Sequence, residues 1–450
     1  MAQLRTSESN KNVEKKTSAK PKITEGLREK VIEACKGIDN GPRVLKLYME
    51  MCARCGTCAD QCPVYQGDPT KLRNPSIRSD LIRSVFKKHK TLSGKMFGSF
   101  VGAEDFEGDM EKWVTAFYEC TGCRRCATFC PMGIDNSVLT RKGRGIADAL
   151  GYTPERLVKV IDISLETGNT DGANEVAFVE AVKFLEEEIK DHCGIDVKIP
   201  YDQVGAEVFF VPPSGDLLVN PEAVMGIAKV FHKLGIFWTL SSKAFDGANY
   251  GLFTGDDPSM KEDNKLYVEE GKRLGCKTLI MGECGHAHRI MKFIMEKAQW
   301  WGPLPFDITN VLQFTSKMVD DGAITFDKSA NPDPVTYHDP CNFGRSCGII
   351  DEPRNIMKAA CADFREMTPN RHWNWCCGGG GGLSAMDDIY EFRMNISGKM
   401  KLKQIDDTGA KFVAAPCSNC KRQLLQLMEY HKREVVVGGV HDAVFNAIIM

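Results

Sequence analysis

The sequence has no apolar run that approaches the roughly 18 residues of a membrane-spanning helix. Its first residues contain neither the hydrophobic region of a signal peptide nor a twin arginine. We therefore expect a cytoplasmic protein. The formal net charge is only −2 at pH 7, which favours neither nucleic acid nor an anionic membrane surface as a direct partner.

Nucleotide-binding motifs are also missing. No Gly-x-Gly-x-x-Gly follows a strand-like run, and the glycines at 378–382 lack the lysine of a phosphate-binding loop. We therefore expect no bound flavin or nicotinamide, so that electrons for any redox chemistry come from a partner.

Cysteine, in contrast, is abundant. The 450 residues include 19 cysteines, most of them clustered. This clustering favours metal binding in a reducing compartment over a disulfide framework. The length suggests about three domains of ordinary size.

Two segments repeat the cysteine spacing of bacterial ferredoxins, in which a proline follows the fourth cysteine. The eight cysteines are Cys52, Cys55, Cys58 and Cys62, then Cys120, Cys123, Cys126 and Cys130. A zinc ribbon would not need four cysteines twice. The resemblance to two-cluster ferredoxins implies two [4Fe–4S] cubanes, with Cys130 completing the first set and Cys62 the second. Segment 74–89 predicts a capped amphipathic helix, as in the helical ferredoxin domains of succinate-dehydrogenase-type subunits.

A further group of thiols lies in the C-terminal third. Its members are Cys341, Cys376, Cys377, Cys417 and Cys420. The runs 334–341 and 411–417 predict short strands that end at cysteines, and the glycines 378–382 let the backbone approach a bulky ligand. Thiolates select iron–sulfur chemistry or zinc, and zinc, with four ligands, would leave one cysteine over.

The five-cysteine pattern resembles the CCG motif of heterodisulfide reductase catalytic subunits. The whole layout is similar to the D-type heterodisulfide reductase subunits and to the related K-type subunit of the membrane complex linked to dissimilatory sulfite reduction. The resemblance implies a non-cubane [4Fe–4S] centre that reduces a disulfide or trisulfide, with Cys376 and Cys377 at the catalytic position. It also implies attachment to the cytoplasmic face of the membrane through a cytochrome b-type subunit. The substrate would be a thiol-cofactor disulfide or a small sulfur-carrier protein.

The chain also repeats itself. Three segments of the middle third correspond to three of the last third: 208–214 to 335–341, 237–243 to 372–378, and 277–289 to 411–422. Strands that alternate with helices over such a repeat predict two α/β units packed about a pseudo-twofold axis.

The first copy has lost most of its thiols. Ser214, Ser241 and Ser242 stand where the second copy has cysteines, and hydroxyls are poor ligands for soft metal centres. We therefore expect this copy to bind no cluster.

Several residues near these motifs have two open interpretations. Cys284, His286 and His288 of the first copy either face the surviving centre, as proton donors or a redox thiol, or are scaffold. His338 and Cys347 must lie near the five cysteines, either in catalysis or in capping and packing.

The predicted fold is therefore α+β and multidomain. Its parts are a disordered tail (1–22), a helical ferredoxin domain with two clusters (23–150), a helical connector (151–205), a degenerate α/β CCG-type unit (206–328) and a complete CCG-type unit (329–450). The alternative function is a non-catalytic iron–sulfur subunit of a flavin-dependent 2-hydroxyacid or glycerol-3-phosphate dehydrogenase. A purely structural or metal-storage role is a third possibility.

Overall fold

The structure, a computed structural model, describes residues 18–450. Most of the predicted tail (1–22) lies outside the described residues. Its last part lies against the helical region, where Ser18 Oγ donates to Asp162 Oδ1 at 2.8 Å.

The part between residues 27 and 149 is built of helices. They are α1 (Leu27–Lys36), α2 (Arg43–Glu50), α3 (Thr57–Asp60), α4 (Pro63–Gly67), α5 (Pro75–Lys90), α6 (Leu92–Phe97), α7 (Met110–Tyr118), α8 (Arg125–Thr128) and α9 (Asn136–Ala149). Helix α5 begins as the sequence predicts. Asn74 Oδ1 accepts a hydrogen bond from Ser76 N at 3.0 Å, and Pro75 occupies the first turn, where its missing N–H removes no helical bond.

Buried aromatic side chains hold α7 against α9. The rings of Trp113 and Phe117 lie 5.0 Å apart, and Trp113 Nε1 donates to Gly143 O at 2.9 Å. A Cβ at Gly143 would lie only 2.5 Å from the Phe117 ring, so this close approach requires glycine. The packing fixes both ends of the loop that carries the second cysteine run.

Two connecting helices follow, α10 (Glu155–Thr167) and α11 (Glu175–Cys193). Asn174 caps α11 by accepting from Ala177 N at 2.9 Å. One face of α11 is buried against the core of the first α/β unit, as its helical spacing of apolar residues predicts. The buried residues are Phe178, Val182, Leu185 and Ile189.

The rest of the chain contains two four-stranded sheets. The strands are β1 (Val208–Val211), β2 (Trp238–Thr239), β3 (Thr278–Met281) and β4 (Asp307–Asn310), then β5 (Pro334–Tyr337), β6 (Asp363–Arg365), β7 (Phe412–Ala414) and β8 (Val436–Gly438). The strand orders are the same, β2-β1-β3-β4 and β6-β5-β7-β8, and every pairing is parallel. Parallel pairs need crossover helices, which explains the alternation of strands and helices in the sequence.

The strand order corrects one predicted correspondence. Strand β2 corresponds to β6 and not to 372–378, because β2 and β6 occupy the same edge beside β1 and β5. The Cys376-Cys377 pair therefore lies in a loop after β6. The sequence of β6, Asp-Phe-Arg, is short and charged and gives no strand signal, whereas the aromatic residues of 372–378 do.

The helices of the first unit are α12 (Ser214–Leu218), α13 (Glu222–Lys233), α14 (Gly251–Thr254), α15 (Asp257–Leu274), α16 (Gly285–His288), α17 (Met295–Ala298) and α18 (Val311–Asp320). Those of the second are α19 (Asp351–Ala360), α20 (Tyr390–Phe392), α21 (Lys399–Thr408), α22 (Ser418–Tyr430) and α23 (Val440–Ala447). Helices α13 and α23 join the units into one core. Gly226 has no room for a Cβ against His441 O, and Lys229 Nζ donates to Phe445 O at 2.7 Å.

Candidate metal centres

The first ferredoxin set consists of Cys52, Cys55, Cys58 and Cys130, which line one cavity. Cys58 lies in α3, and Cys130 follows α8 from the other cysteine run. The thiol of Cys58 interacts with those of Cys52 and Cys130. Cys55 is exposed, so this set lies at the protein surface.

The second ferredoxin set consists of Cys62, Cys120, Cys123 and Cys126. Cys62 is buried, and its thiol interacts with Cys123 and Cys120. Cys126 interacts with the other three. The structure therefore groups the cysteines as the ferredoxin resemblance implies, with the fourth cysteine of each run joining the other run.

The third set, called here the five-thiol site, consists of Cys341, Cys376, Cys377, Cys417 and Cys420. Cys341 follows β5, the vicinal pair follows β6, Cys417 follows β7, and Cys420 lies in the first turn of α22. Their thiols form an unbroken series of contacts in the order 341, 376, 377, 420, 417. All except Cys341 are buried.

The glycines after the pair bring the five-thiol site close to the ferredoxin domain. A Cβ at Gly380 would lie 2.5 Å from Thr121 O, and one at Gly381 would lie 2.7 Å from Cys120 O. The backbone of 378–382 therefore approaches the second ferredoxin run more closely than any other residue type would allow.

As a result, the second ferredoxin set touches the five-thiol site. The thiol of Cys123 contacts that of Cys376. Arg345 spans the same junction, with Nε donating to Cys123 O at 2.7 Å and Nη1 to Asn374 O at 2.7 Å. No feature of the sequence indicates this contact.

His338 lies at the five-thiol site, and a second basic group, which no sequence motif marks, lies beside it. One ring nitrogen of His338 and the sulfurs of Cys377 and Cys420 lie within 4.8 Å of one another, and burial lowers the pKa of His338. The second group is Lys401, which is fully buried and whose Nζ donates to Asn374 Oδ1 at 2.5 Å. Burial lowers the pKa of Lys401 to about 7.

The degenerate unit contributes Cys284 and His286 on the opposite side of the site. The His286 ring contacts the Cys417 thiol, and Cys284 Sγ lies 3.2 Å from His286 Nδ1. Asn249 N donates to His286 Nε2 at 3.2 Å, so the neutral ring carries its proton on Nδ1. Burial raises the pKa of Cys284 well above its usual value.

The other sequence candidates lie in different surroundings. His288 Nε2 is 3.3 Å from Asn310 Nδ2, and its ring packs on Phe343. Cys347 is half-buried and interacts with Arg289 and Cys341.

The serines of the degenerate unit are bound to carboxylates. Ser214 Oγ donates to Asp246 at 2.8 Å. Ser241 Oγ donates to Glu270 at 2.8 Å, and Ser242 Oγ donates to Asp202 at 2.7 Å. Their hydroxyls are thus engaged with oxygen acceptors rather than directed at a common metal position.

The donor sets fit iron–sulfur groups. Two sets of four thiols match the ligands of [4Fe–4S] clusters. Five contacting thiols exceed the four ligands of a structural zinc ion and offer the soft donors that iron–sulfur centres prefer.

Comparison with known proteins supports this assignment. The family described as 4Fe-4S dicluster domain matches residues 48–134, and the family described as cysteine-rich domain matches residues 335–425. The Hdr-like menaquinol oxidoreductase iron-sulfur subunit 2 of Archaeoglobus fulgidus is 32% identical, over 95% of this chain and 85% of that protein. The chain belongs to the family of these Hdr-like iron–sulfur subunits. It is therefore an iron–sulfur subunit of an Hdr-like oxidoreductase and acts in electron transfer.

Other relatives extend the same family. The corresponding iron-sulfur subunit of Archaeoglobus profundus is 30% identical, over 95% of this chain and 84% of that protein. The D-type subunit of the dihydromethanophenazine:CoB–CoM heterodisulfide reductase of Methanosarcina mazei is 26% identical, over 89% of this chain and 94% of that protein. No solved structure matches the chain.

The positions of the matches agree with the three cysteine sets of this Hdr-like subunit. The dicluster match contains both ferredoxin sets, and the cysteine-rich match contains the five-thiol site. Within residues 18–450, no helix is both long and apolar enough to cross a membrane.

Proposed function

We propose that this subunit passes electrons through the two ferredoxin sets to the five-thiol site and there reduces a disulfide or trisulfide. The observation that carries the proposal is the contact between Cys123 and Cys376. This contact joins a four-thiol ferredoxin set directly to the five-thiol site. The five-thiol site has one thiol more than a simple electron-carrying cluster needs.

The bound groups would supply the redox chemistry. Two [4Fe–4S] cubanes and one non-cubane [4Fe–4S] centre would provide one-electron transfers and a metal that binds a substrate sulfur. The chain holds these groups through the cysteines already described and excludes water from them, because most of those thiols are buried.

Reduction of a disulfide to two thiols consumes two electrons and two protons, and the chain must supply the protons. We assign proton donation to His286 and Cys284 on one side of the five-thiol site and to His338 on the other. In the tautomer set by Asn249 N, His286 holds its proton on Nδ1. The same nitrogen lies 3.2 Å from Cys284 Sγ, so its N–H can stabilise the thiolate that remains when Cys284 gives its proton to the product thiolate.

We further propose that the two α/β units are related by a pseudo-twofold axis, with the degenerate unit forming the facing wall of the substrate site. The identical strand order of the two sheets supports this arrangement, as does the packing of α13 on α23. Parallel sheets bind ligands at the carboxyl ends of their strands, where Cys284 follows β3 and Cys417 follows β7.

The names of the relatives suggest the electron source. They refer to menaquinol and to dihydromethanophenazine. We infer that a membrane cytochrome b-type subunit oxidises a carrier of this kind and donates electrons to this chain at the cytoplasmic face of the membrane. The substrate would be a thiol-cofactor disulfide, as in the name of the Methanosarcina relative, or a small sulfur-carrier protein.

The proposal is tested by the double variant Cys376→Ser/Cys377→Ser in anaerobically purified protein. Reduced viologen serves as electron donor and the CoB–CoM heterodisulfide as acceptor. We expect the variant to lose turnover and the paramagnetic signal of the five-thiol site, while both ferredoxin signals persist. The matched control is Cys361→Ser, a buried cysteine outside the three sets.

Two results would contradict the proposal. Loss of all three signals would make the vicinal pair structural. A wild type that carries all three signals but does not reduce the heterodisulfide would favour the non-catalytic electron-transfer subunit.

A further inference from the structure

Four arginines, three of them buried and one half-buried, surround the second ferredoxin set. They are Arg78, Arg125, Arg144 and Arg345. None of them pairs with a carboxylate among residues 18–450, where the ion pairs of this region involve other arginines. Buried cations are costly unless they are compensated, so the missing partners require an explanation.

Arg345 and Arg125 lie on the side that faces the five-thiol site. Arg345 donates only to backbone carbonyls, and its Nη2 is buried without an acceptor. Arg125 donates from Nη1 to Trp373 O at 2.8 Å and stacks on Trp375 at 3.7 Å, with its Nε buried and unbonded. Both guanidiniums act electrostatically on the Cys123 thiol.

Arg78 and Arg144 lie next to Cys62 and Cys120 of the same set. Arg78 is buried, acts on the Cys62 thiol, and donates only to Arg73 O at 3.3 Å. Arg144 donates to Cys120 O at 2.6 Å and to three further carbonyls.

Two carboxylates beside this set, Asp135 and Glu119, are already compensated. Asp135 pairs with Arg124 at 2.8 Å, and Glu119 pairs with Arg73 at 2.8 Å. The four arginines therefore leave a net positive charge around the second set. Only the thiolates of this set, and any group that they bind, remain to balance that charge.

The first ferredoxin set has no such surroundings. Arg54, which lines the cavity of this set, is half exposed and pairs with Asp80 at 3.3 Å. The buried Arg83, which donates to Ser76 O, pairs with the same carboxylate and is thus compensated. The thiols of Cys55 and Cys58 interact instead with the neutral groups of Thr57 and Ser76.

We propose that the arginines around the second ferredoxin set hold its cluster at a higher midpoint potential than that of the first set, and so direct electrons from the exposed first set towards the five-thiol site. The inference rests on the proposed function for the presence of the clusters. Reduction adds negative charge to a cluster, and a nearby buried cation stabilises the reduced form. Solvent and a paired carboxylate weaken the same effect at Arg54.

The test is a redox titration of anaerobically purified protein, followed by electron paramagnetic resonance. The variants are Arg345→Gln and Arg125→Gln, which remove a charge, and Arg345→Lys, which keeps it. The control is Arg371→Gln, because Arg371 pairs with Asp351 and its side chain is 39% exposed. A Cys55→Ser variant identifies the signal of the first set.

We expect the wild type to show two ferredoxin midpoints, the higher from the second set. Each Gln variant should move that midpoint to more negative values and leave the first set unchanged. Arg345→Lys should keep most of the wild-type value, and Arg371→Gln should keep all of it.

Unchanged midpoints in Gln variants that retain full iron would overturn the inference, and so would a wild type in which the first set has the higher value. If Arg345→Gln loses iron, the midpoint of Arg125→Gln decides the test. The Arg125 side chain is held by a single hydrogen bond and by stacking, so its replacement disturbs the structure less. The titration needs no disulfide substrate. A failure of the proposed reductase activity therefore leaves this result readable.

Discussion

The ion pair between Arg354 and Asp339 should be required for assembly of the five-thiol site. Both side chains are 2% exposed, and the pair is bidentate, with Nη1–Oδ1 at 2.7 Å and Nη2–Oδ2 at 2.9 Å. Asp339 also accepts from Arg371 N at 2.8 Å, and its carbonyl accepts from Asn374 Nδ2 at 2.7 Å. It thereby ties the loop that contains Cys341 to the loop that contains the vicinal pair.

The change Arg354→Met leaves the Asp339 carboxylate buried with only its backbone donor. Removing one partner of a buried ion pair typically costs about 3–5 kcal/mol. Loss of a group that orients a metal ligand typically weakens metal binding by about 10–100-fold. We therefore expect a lower free energy of unfolding and faster loss of iron to a chelator from the five-thiol site, with the ferredoxin signals retained.

The matched control is Arg365→Met. Arg365 also pairs with an aspartate, Asp363, at 2.7 Å, but both side chains are about 40% exposed, and exposed pairs contribute only about 0–1 kcal/mol. Urea unfolding followed by circular dichroism measures both variants. If Arg354→Met and Arg365→Met lose equally little stability and iron, the Asp339 pair does not organise the site. The double variant Arg354→Met/Asp339→Asn should recover part of the loss, because it leaves no buried charge unpaired.

Three further predictions concern iron content, the facing wall and pH. Protein purified anaerobically should contain about twelve irons per chain, four for each cysteine set; iron near eight would remove the centre at the five-thiol site. Cys284→Ala and His286→Ala should each lower turnover by about tenfold or more at unchanged iron content, because each removes an acid–base group; wild-type rates would make both scaffold. Burial raises the pKa of Asp263, bonded to Ser164 Oγ at 2.6 Å, from 3.8 to about 7. The unfolded chain loses this proton at lower pH than the folded one, so the wild type loses stability between about pH 4 and 7. Asp263→Asn should therefore be more stable than the wild type at pH 8, by at most about 4 kcal/mol, and equal near pH 4. A stability difference that is the same at both pH values would contradict that assignment.

The grouping of the cysteines could be predicted because the information for it is local. Each ferredoxin run keeps its cysteines at fixed short spacings, and the segments that end at Cys341 and Cys417 are short β-rich runs broken by proline. The helix after Asn74 was equally predictable from its cap and proline. Such features need only neighbouring residues, which a single sequence contains.

The contacts between these sets could not be predicted. Cys123 meets Cys376 because packed domains bring distant loops together. Lys401 of α21 meets Asn374 because the second unit folds this helix onto the loop after β6. The short strand β6 was misplaced for a related reason, since its pairing with β5 rather than its composition makes it a strand.

The degenerate unit is needed for the stability of the complete unit, because it supplies partners to buried charged residues there. Lys421, next to ligand Cys420, pairs with Asp216 of the degenerate unit at 2.5 Å, and both are buried. Glu283, next to Cys284, accepts from His441 N and Nδ1, each at 2.8 Å. Burial would raise the pKa of Glu283, but the bonds from His441 hold it below its usual value.

Both buried pairs, Lys421–Asp216 and His441–Glu283, join one unit to the other. The first lies next to Cys420 of the five-thiol site, and the second lies next to Cys284 of the facing wall. Removing either partner would leave a buried charge uncompensated, at a cost of about 3–5 kcal/mol. The first α/β unit is therefore needed even where it has serines in place of cysteines, because the position and charge of Lys421 depend on it.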